Sequence, residues 1–537
     1  LDMKVRPLKL FTLAIAVLMA ISFVTTASSA ESKRTYRPVP ENVTTADVVK
    51  TSIGTFNYFD GMPDENSVKL AYDELDKQRA TQVFLQNMQT VSMEGIRQGL
   101  KEYGVDGAGS LMVWSKLGDA RTYIYTFNTS TVYAFGMLNL KRDGHTFVKF
   151  PPNAGPTTID DADFRYVVDM GPTGPDKGKG GYYLILSPDY KKGEIEAIKE
   201  DVPTTGSIEV KMEVEGELQT VYVTKSRSYS NWVIARGFLK DGKPDYSTEL
   251  FSKGLNIFKY EDIDKAPEMK IVEGSESQMS NIFPNDISFY FMLNNTVQRE
   301  HPDFISYDRK GLNSSIGIMK GKEFNPDERM TKILTDGVNI GNAIARSINF
   351  ANEDKSAYTW SDRKWRTFFI GGSDKWYKDG NPDYGFDVDA RVMFFYQAVV
   401  NTPAMVLQMV GKGSQYTAAE RDNKGRYFDG SKTYKLTVPA NVPAKDFWSV
   451  ALYDTQTRSL LQTDQRFPSV SSKKTKFKEN KDGTIDIYFS PKAPKGYEEN
   501  WIQTLPNKSW FTAFRLYGPL EPWFDGSWKL NDIELVD

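Results

Sequence analysis

The sequence predicts a mainly β fold with α-helices: two β-sandwich or jelly-roll-like domains joined by a helical segment. Two blocks of short runs rich in β-branched and aromatic residues, one before residue 280 and one after 412, predict the sandwiches. Between them apolar residues recur at helical spacing, while Pro and Gly punctuate the strand blocks at loop-like intervals. At 537 residues the chain suits two or three domains, and its 28 Tyr, 32 Phe and 10 Trp supply ample core material.

The elements follow in order. Lys4, Arg6 and Lys9, an apolar run from Leu10 to Val24, and small residues up to Ala30 predict a signal peptide over 1–30, cut before Glu31. The expected location is therefore periplasmic or secreted. The apolar run is shorter than the roughly 20 residues of a spanning helix, so no membrane span is expected after its removal. Residues 31–55 read as an extended leader. An N-terminal β-rich domain is expected over 56–279, led by a helix that opens at Pro63-Asp64-Glu65 and places Val68, Tyr72, Leu75 and Arg79 on one face. Strand-like runs then include TFNTSTVYAFGMLNL, HTFVKF, FRYVVDM, YYLILS, IEVKMEV and WVIARGFL, with antiparallel pairing expected. Asp143-Gly144 predicts a hairpin turn. A helical linker or insert is expected over 280–412. There Asn325-Pro326-Asp327-Glu328 starts one helix, and a second runs from Asp387 until Pro403. A C-terminal β-sandwich is expected over 413–537, where YKLTVP, DFWSVALYD, TIDIYFS and WFTAFRLYG supply strands.

Composition removes several chemistries. There is no cysteine, so disulfides, thiolate nucleophiles and cysteine-ligated metals are excluded. Two histidines, His145 and His301, cannot form a three-histidine metal site. No Gly-x-Ser-x-Gly elbow and no His-Glu-x-x-His motif occurs. With 67 basic against 70 acidic residues there is no basic surplus for nucleic acid.

Several stretches together resemble a bacterial family of exported two-domain proteins whose halves are domains of unknown function. TFNTSTVYAFGMLNL resembles its asparagine–threonine–tyrosine strand, and GPDKGKGGYYLILSPDY its glycine-rich loop and following strand. YGFDVDARV, NTPAMV and DNKGRYFDGSKTYKLTVP resemble its linker helix and the entry to its C-terminal domain. The motif-rich end, from FWSVALYD to WFDGSWKLNDIE, completes the order. The resemblance implies two β-rich domains joined by helices and names no reaction.

Three constellations could carry chemistry. The glycine-dense segment Gly171–Gly181 contains Asp176, Lys177 and Lys179, but a strand follows it and no Gly-Lys-Ser/Thr ends it. It reads as a loop with special backbone angles. Asp379, Asn381, Asp383, Asp387 and Asp389 alternate as oxygen ligands for calcium or magnesium could. Ala390 stands where an EF-hand needs its bidentate glutamate, and the alternative reading is a turn in which Asp387 caps the following helix. Asn128, Tyr133, Arg391, Asn500, Trp501, Arg515 and Tyr517 combine guanidinium, amide and aromatic groups suited to a carboxylate or to sugar hydroxyls. Arg391 is four residues beyond Asp387, within pairing reach on a helix.

Three functional readings follow. The first is an exported protein binding a small polar or carbohydrate-like ligand in an inter-domain cleft. The second is a carbohydrate-active hydrolase or lyase using carboxylate, Tyr and Arg chemistry, with calcium assistance. The third is a structural envelope protein that assembles as a homo-oligomer through aromatic surface.

Overall fold

The computed structural model describes residues 36–536, so the expected signal peptide and the first residues of the leader lie outside the described residues. Of the described residues, those up to Leu70 form one compact unit and those from Ala71 onward a second. In the first, three short antiparallel strands, Val48–Thr51, Gly54–Phe59 and Met62–Pro63, replace the extended leader. Asp64 then accepts the amide of Ser67 at 2.7 Å, which caps the start of a helix spanning Glu65–Glu102. The face expected to be buried is not: Tyr72 is 60% exposed. The buried face begins later, at Ala80, Val83, Phe84, Met88 and Val91, because that is where the flanking helices Ser288–Arg299 and Glu328–Phe350 meet it.

The second unit is β-rich with α-helices. Its first half holds a five-stranded sheet (Ile208–Val214, Glu217–Lys225, Gly181–Leu186, Thr146–Phe150, Asn256–Lys259) and a six-stranded sheet. The latter runs Lys270–Glu273, Ser110–Val113, Thr131–Asn139, Ser230–Phe238, Thr157–Asp161, Tyr166–Met170. Its second half pairs a five-stranded sheet built on Ala444–Asp454 and Trp510–Pro519 with a four-stranded sheet built on Tyr434–Val438 and Ile485–Ser490. Three strand pairs are parallel, including Glu217–Lys225 with Gly181–Leu186, so the wholly antiparallel pattern expected is broken. The expected hairpin at Asp143-Gly144 is also absent. Leu140–Asp143 is a short helix that carries the chain from one sheet to the other, since Thr131–Asn139 pairs with Ser230–Phe238 instead.

Alternation decides which core each side chain enters. On Thr131–Asn139, Val132, Ala134 and Leu138 point into the core between the two N-terminal sheets. Tyr133, Phe135 and Met137 point the opposite way, into a core shared with the C-terminal region. On Trp510–Pro519, Trp510, Phe514 and Leu516 fill the C-terminal sandwich, while Phe511 and Ala513 enter the shared core. The helix Val388–Gln397 closes that core with Met393, Phe394 and Phe395. Each of the two facing sheets is thus apolar on both sides, which explains their near-continuous hydrophobic runs.

Arg458 fastens this junction. It is fully buried, donates from Nε to the carbonyl of Tyr396 at 3.0 Å, and sits 4.1 Å from the Tyr396 ring centroid. Its Nη2 reaches the Tyr125 hydroxyl at 3.1 Å, and its carbonyl accepts the amide of Thr126 at 2.9 Å. Among the described residues no helix is long and apolar enough to cross a membrane.

Candidate functional site

A cavity of about 70 Å³ lies in the shared core, between strands of both β regions. Tyr133 and Arg236 enter it from adjacent strands, where they are direct cross-strand partners. Arg515 and Tyr517 enter from the opposite side, two residues apart on Trp510–Pro519 and therefore on one face. Arg515 is flanked in register by Tyr416. Phe369, Phe394 and Met405 supply apolar wall from the connecting segment.

The polar groups are held in place by specific contacts. Arg515 donates from Nη2 to the Tyr453 hydroxyl at 2.7 Å and to the carbonyl of Thr126. The Tyr453 hydroxyl in turn donates to the carbonyl of Phe127 at 3.0 Å. Asn128 donates to the Tyr517 hydroxyl, and its Oδ1 accepts the amide of Ser130 at 2.9 Å. Phe127 stacks on Tyr133 at 4.7 Å, and Phe447 stacks on Tyr517 at 4.0 Å. These contacts fix the ring planes and leave two guanidinium N–H groups over: the Nε atoms of Arg515 and Arg236, like the indole N–H of Trp232, are buried and have no partner among the described residues. Neither arginine forms an ion pair among the described residues, although a guanidinium stays charged in a protein.

Two carboxyls stand near Arg236 without pairing with it. Asp160 is fully buried, and burial pushes its pKa well up, against the amide of Asn401 that donates to it at 2.9 Å. Asp169 is raised to about 6, first by burial and against the Thr402 hydroxyl, which lies 2.8 Å from both its oxygens. The folded state therefore holds protons that the unfolded chain, with an ordinary carboxyl near 3.8, has released. Stability carried by Asp169 is full below about pH 4 and falls as pH rises toward 6, by roughly 3 kcal/mol for a shift of this size. Asp169→Asn should accordingly gain on the wild type between pH 4 and pH 7. Urea unfolding of both proteins across that range measures the difference, and a constant difference would contradict the buried neutral acid.

The expected site residues divide into groups. Asn128, Tyr133, Arg515 and Tyr517 meet at the junction. Asn500 does not reach it: it is fully buried and saturated, accepting from the amide of Lys478 at 2.9 Å and donating to the carbonyls of Lys478 and Asp486. Trp501 lies on the other C-terminal sheet, its indole donating to the carbonyl of Ser490 at 2.9 Å. Arg391 lines a different, more open pocket. It is not paired with Asp387, whose carboxylate instead accepts the amide of Ala390 at 2.9 Å and lies 3.1 Å from Lys378.

The loop expected to gather oxygen ligands is built of turns and caps. Asp387 caps Val388–Gln397, Asn381 caps the turn Pro382–Tyr384, and Asp379 occupies a left-handed position at φ 52°. Asp379, Asn381, Asp383, Asp387 and Asp389 consequently do not converge. Among the described residues no group of three or more His, Cys, Asp or Glu side chains could hold a metal ion. The glycine-rich segment is likewise self-contained, because the buried Asp176 accepts from the amides of Gly171 and Gly180 and from the Tyr183 hydroxyl at 2.7, 2.9 and 2.6 Å. His145 accepts the amide of the distant Ser187 and His301 that of Asp303 in a local turn, so each holds its Nδ1 as an acceptor.

The arrangement suits recognition better than proton transfer. Burial raises the Tyr133 pKa against the opposing charges of Arg515 and Arg236, and pushes Tyr453 up to about 12. Phenols in this range are hydrogen-bond donors at neutral pH and poor bases. Sequence reasoning missed Arg236, Tyr416 and Tyr453. A signal was present for Arg236: like Arg515 in TAFRLYG, it is a lone charge inside an apolar strand run, WVIARGF.

Two family models match the chain, each described as a protein of unknown function: DUF1254 over residues 109–257 and DUF1214 over residues 413–521. The chain thus carries matches to both domains, in the order its motifs imply. The cavity draws Tyr133 and Arg236 from the first and Tyr416, Arg515 and Tyr517 from the second. Among solved structures it is similar to the VPA0106 protein of Vibrio parahaemolyticus, with 15% identity and a TM-score of 0.48, over 86% of this chain and 100% of that one. It is also similar to an uncharacterised protein of Burkholderia cenocepacia, with 11% identity and a TM-score of 0.35, over 87% of this chain and 96% of that one. No curated protein matches it.

Proposed function

We propose that this is an exported binding protein that holds a small polar ligand in the cavity between its two β regions. The observation that carries the proposal is Arg515, a charged side chain only 6% exposed, with no carboxylate partner among the described residues and an unused N–H beside a void. Burying a charge without a counter-ion is costly, and an anionic or strongly polar ligand would offset that cost. Arg236 offers a second unused N–H, and the aromatic walls suit the apolar side of a small organic acid. A volume near 70 Å³ favours a small group over an oligosaccharide.

A thermal-shift screen of the exported form against small carboxylates and neutral sugars tests this reading. A ligand at 100 times its Kd should raise stability by about 2.7 kcal/mol, and Arg515→Gln should abolish that gain. If every compound leaves the wild type unchanged, or the variant responds equally, the junction is structural only. Export itself is checked by sequencing the N-terminus of the processed protein, which should begin at Glu31.

A further inference from the structure

A second pocket, of about 540 Å³, lies apart from the junction residues just described and has a different chemistry. Four guanidiniums line it: Arg165, Arg227, Arg309 and Arg391. Two buried carboxylates balance three of them. Asp161 lies 2.8 Å from Arg165 and 3.5 Å from Arg227, and Asp163 pairs with Arg309 while accepting the Thr90 hydroxyl at 2.5 Å. The pair holds the Asp163 carboxyl below its usual range despite burial, because Arg309 and then Arg165 stand beside it. Both carboxylates are therefore already committed to these partners. The more exposed Asp308 and Asp374 also line the pocket, and neither pairs with Arg391.

Arg391 is left over. Its guanidinium makes no ion pair or hydrogen bond among the described residues, stacks on Phe386 at 4.6 Å, and keeps a buried Nε without partner. Burial, and next the charge of Arg309, push its pKa down to about 9, which leaves it charged at neutral pH but destabilised. Arg309, only 5% exposed, also has an unpartnered Nε. Opposite in character is Asn401, 3% exposed, whose Nδ2 donates to the carbonyl of Asp374 at 2.7 Å while its Oδ1 accepts nothing. Trp376, Phe164 and Phe395 supply flat apolar wall.

We infer that this pocket is a second binding site, one that takes a hydroxylated organic anion of the uronate or hydroxy-acid class. The unused N–H groups of Arg391 and Arg309 would meet the carboxylate, since a guanidinium fork matches that group. A ligand hydroxyl would donate to Asn401 Oδ1, and the aromatic wall would cover the less polar face of the body. The volume is large enough for a single sugar ring, unlike that of the junction cavity.

Calorimetric titration of the full processed chain with galacturonate, glucose and sodium sulfate tests the inference. Galacturonate should bind with one-to-one stoichiometry at this site. Arg391→Gln should weaken it about tenfold or more, the loss of one charged hydrogen-bonding partner. That variant should melt close to the wild type, because it gives up only the stacking on Phe386 and no ion pair or hydrogen bond among the described residues. Should it fail to fold, Arg391→Lys, which keeps the charge and loses the fork, should weaken galacturonate by a smaller factor. Arg515→Gln should leave galacturonate binding here unchanged, which separates this site from the junction. Glucose binding as tightly as galacturonate would overturn the anion requirement, and sulfate binding as tightly would overturn the hydroxylated body. Galacturonate affinity unaffected by any change at Arg391 would overturn the site.

Discussion

Replacing Glu420 by alanine is expected to lower the free energy of unfolding by about 3–5 kcal/mol, the range for breaking a buried ion pair from one side. Arg366 is 0% exposed and Glu420 4%, and Nε and Oε2 meet at 2.7 Å. The arginine has little else to fall back on: Nη2 donates to Gln397 Oε1 at 3.1 Å, and Nη1 is already without a partner. Burial raises the Glu420 pKa while Arg366, and more weakly Arg421, pull it back, so charge on the acid depends mainly on the Arg366 contact. Three elements share the pair. Arg366 begins the edge strand Arg366–Thr367, Glu420 follows the strand Ser414–Ala419, and Gln397 ends the helix that closes the shared core. Glu420→Gln keeps an acceptor near Nε and should cost less than alanine. Chemical denaturation of the three proteins orders them, and an alanine variant as stable as the wild type would refute the assignment.

Trp232→Ala should destabilise by a comparable amount, about 3–5 kcal/mol, because a large aromatic removed from a close-packed core leaves a void. Trp232 is fully buried and meets Phe135 edge-on at 4.8 Å and Phe164 at 5.9 Å. It also lines the junction cavity, so the space vacated adds to the space already there. Stability and ligand size should therefore change together: the alanine variant melts earlier and admits larger organic acids than the wild type. Its indole N–H has no partner, so Trp232→Phe removes an unsatisfied donor and should cost far less than alanine. Melting curves and a size series of carboxylates measure both effects. Equal losses for phenylalanine and alanine would mean that packing at this wall contributes little.

The legible part of the fold was set by side-chain periodicity. Runs such as WVIARGFL and WFTAFRLYG are strands because their branched and aromatic residues serve two cores at once, one on each face. The start of the helix after Asp387 was equally readable from its cap, but the helix stops at Gln397 rather than running to Pro403, which opens a short helix of its own, Pro403–Val406. Pairing was harder to read, because it depends on distant segments. Asp143-Gly144 has the local chemistry of a hairpin, yet Thr131–Asn139 finds its partner some hundred residues later, in Ser230–Phe238. The site divided in the same way. Arg515 and Tyr517 share a strand face by parity alone, and their meeting with Asn128 and Tyr133 was proposed from residue type. Asn500 and Arg391 have the same types but were separated by tertiary placement, one into a saturated loop and the other into its own pocket. The acids of the 379–389 loop had ligand-like spacing, but local caps and turns claimed them first.

We propose that the unpaired charge of Arg515 meets a ligand. The most direct measurement is the heat of binding of a small carboxylate such as acetate to the wild type and to Arg515→Gln, with both shown folded by their melting curves. The wild type should show saturable one-to-one binding, weakened about tenfold or more in the variant. Unchanged binding in Arg515→Gln, or none in either protein across small carboxylates, would contradict it.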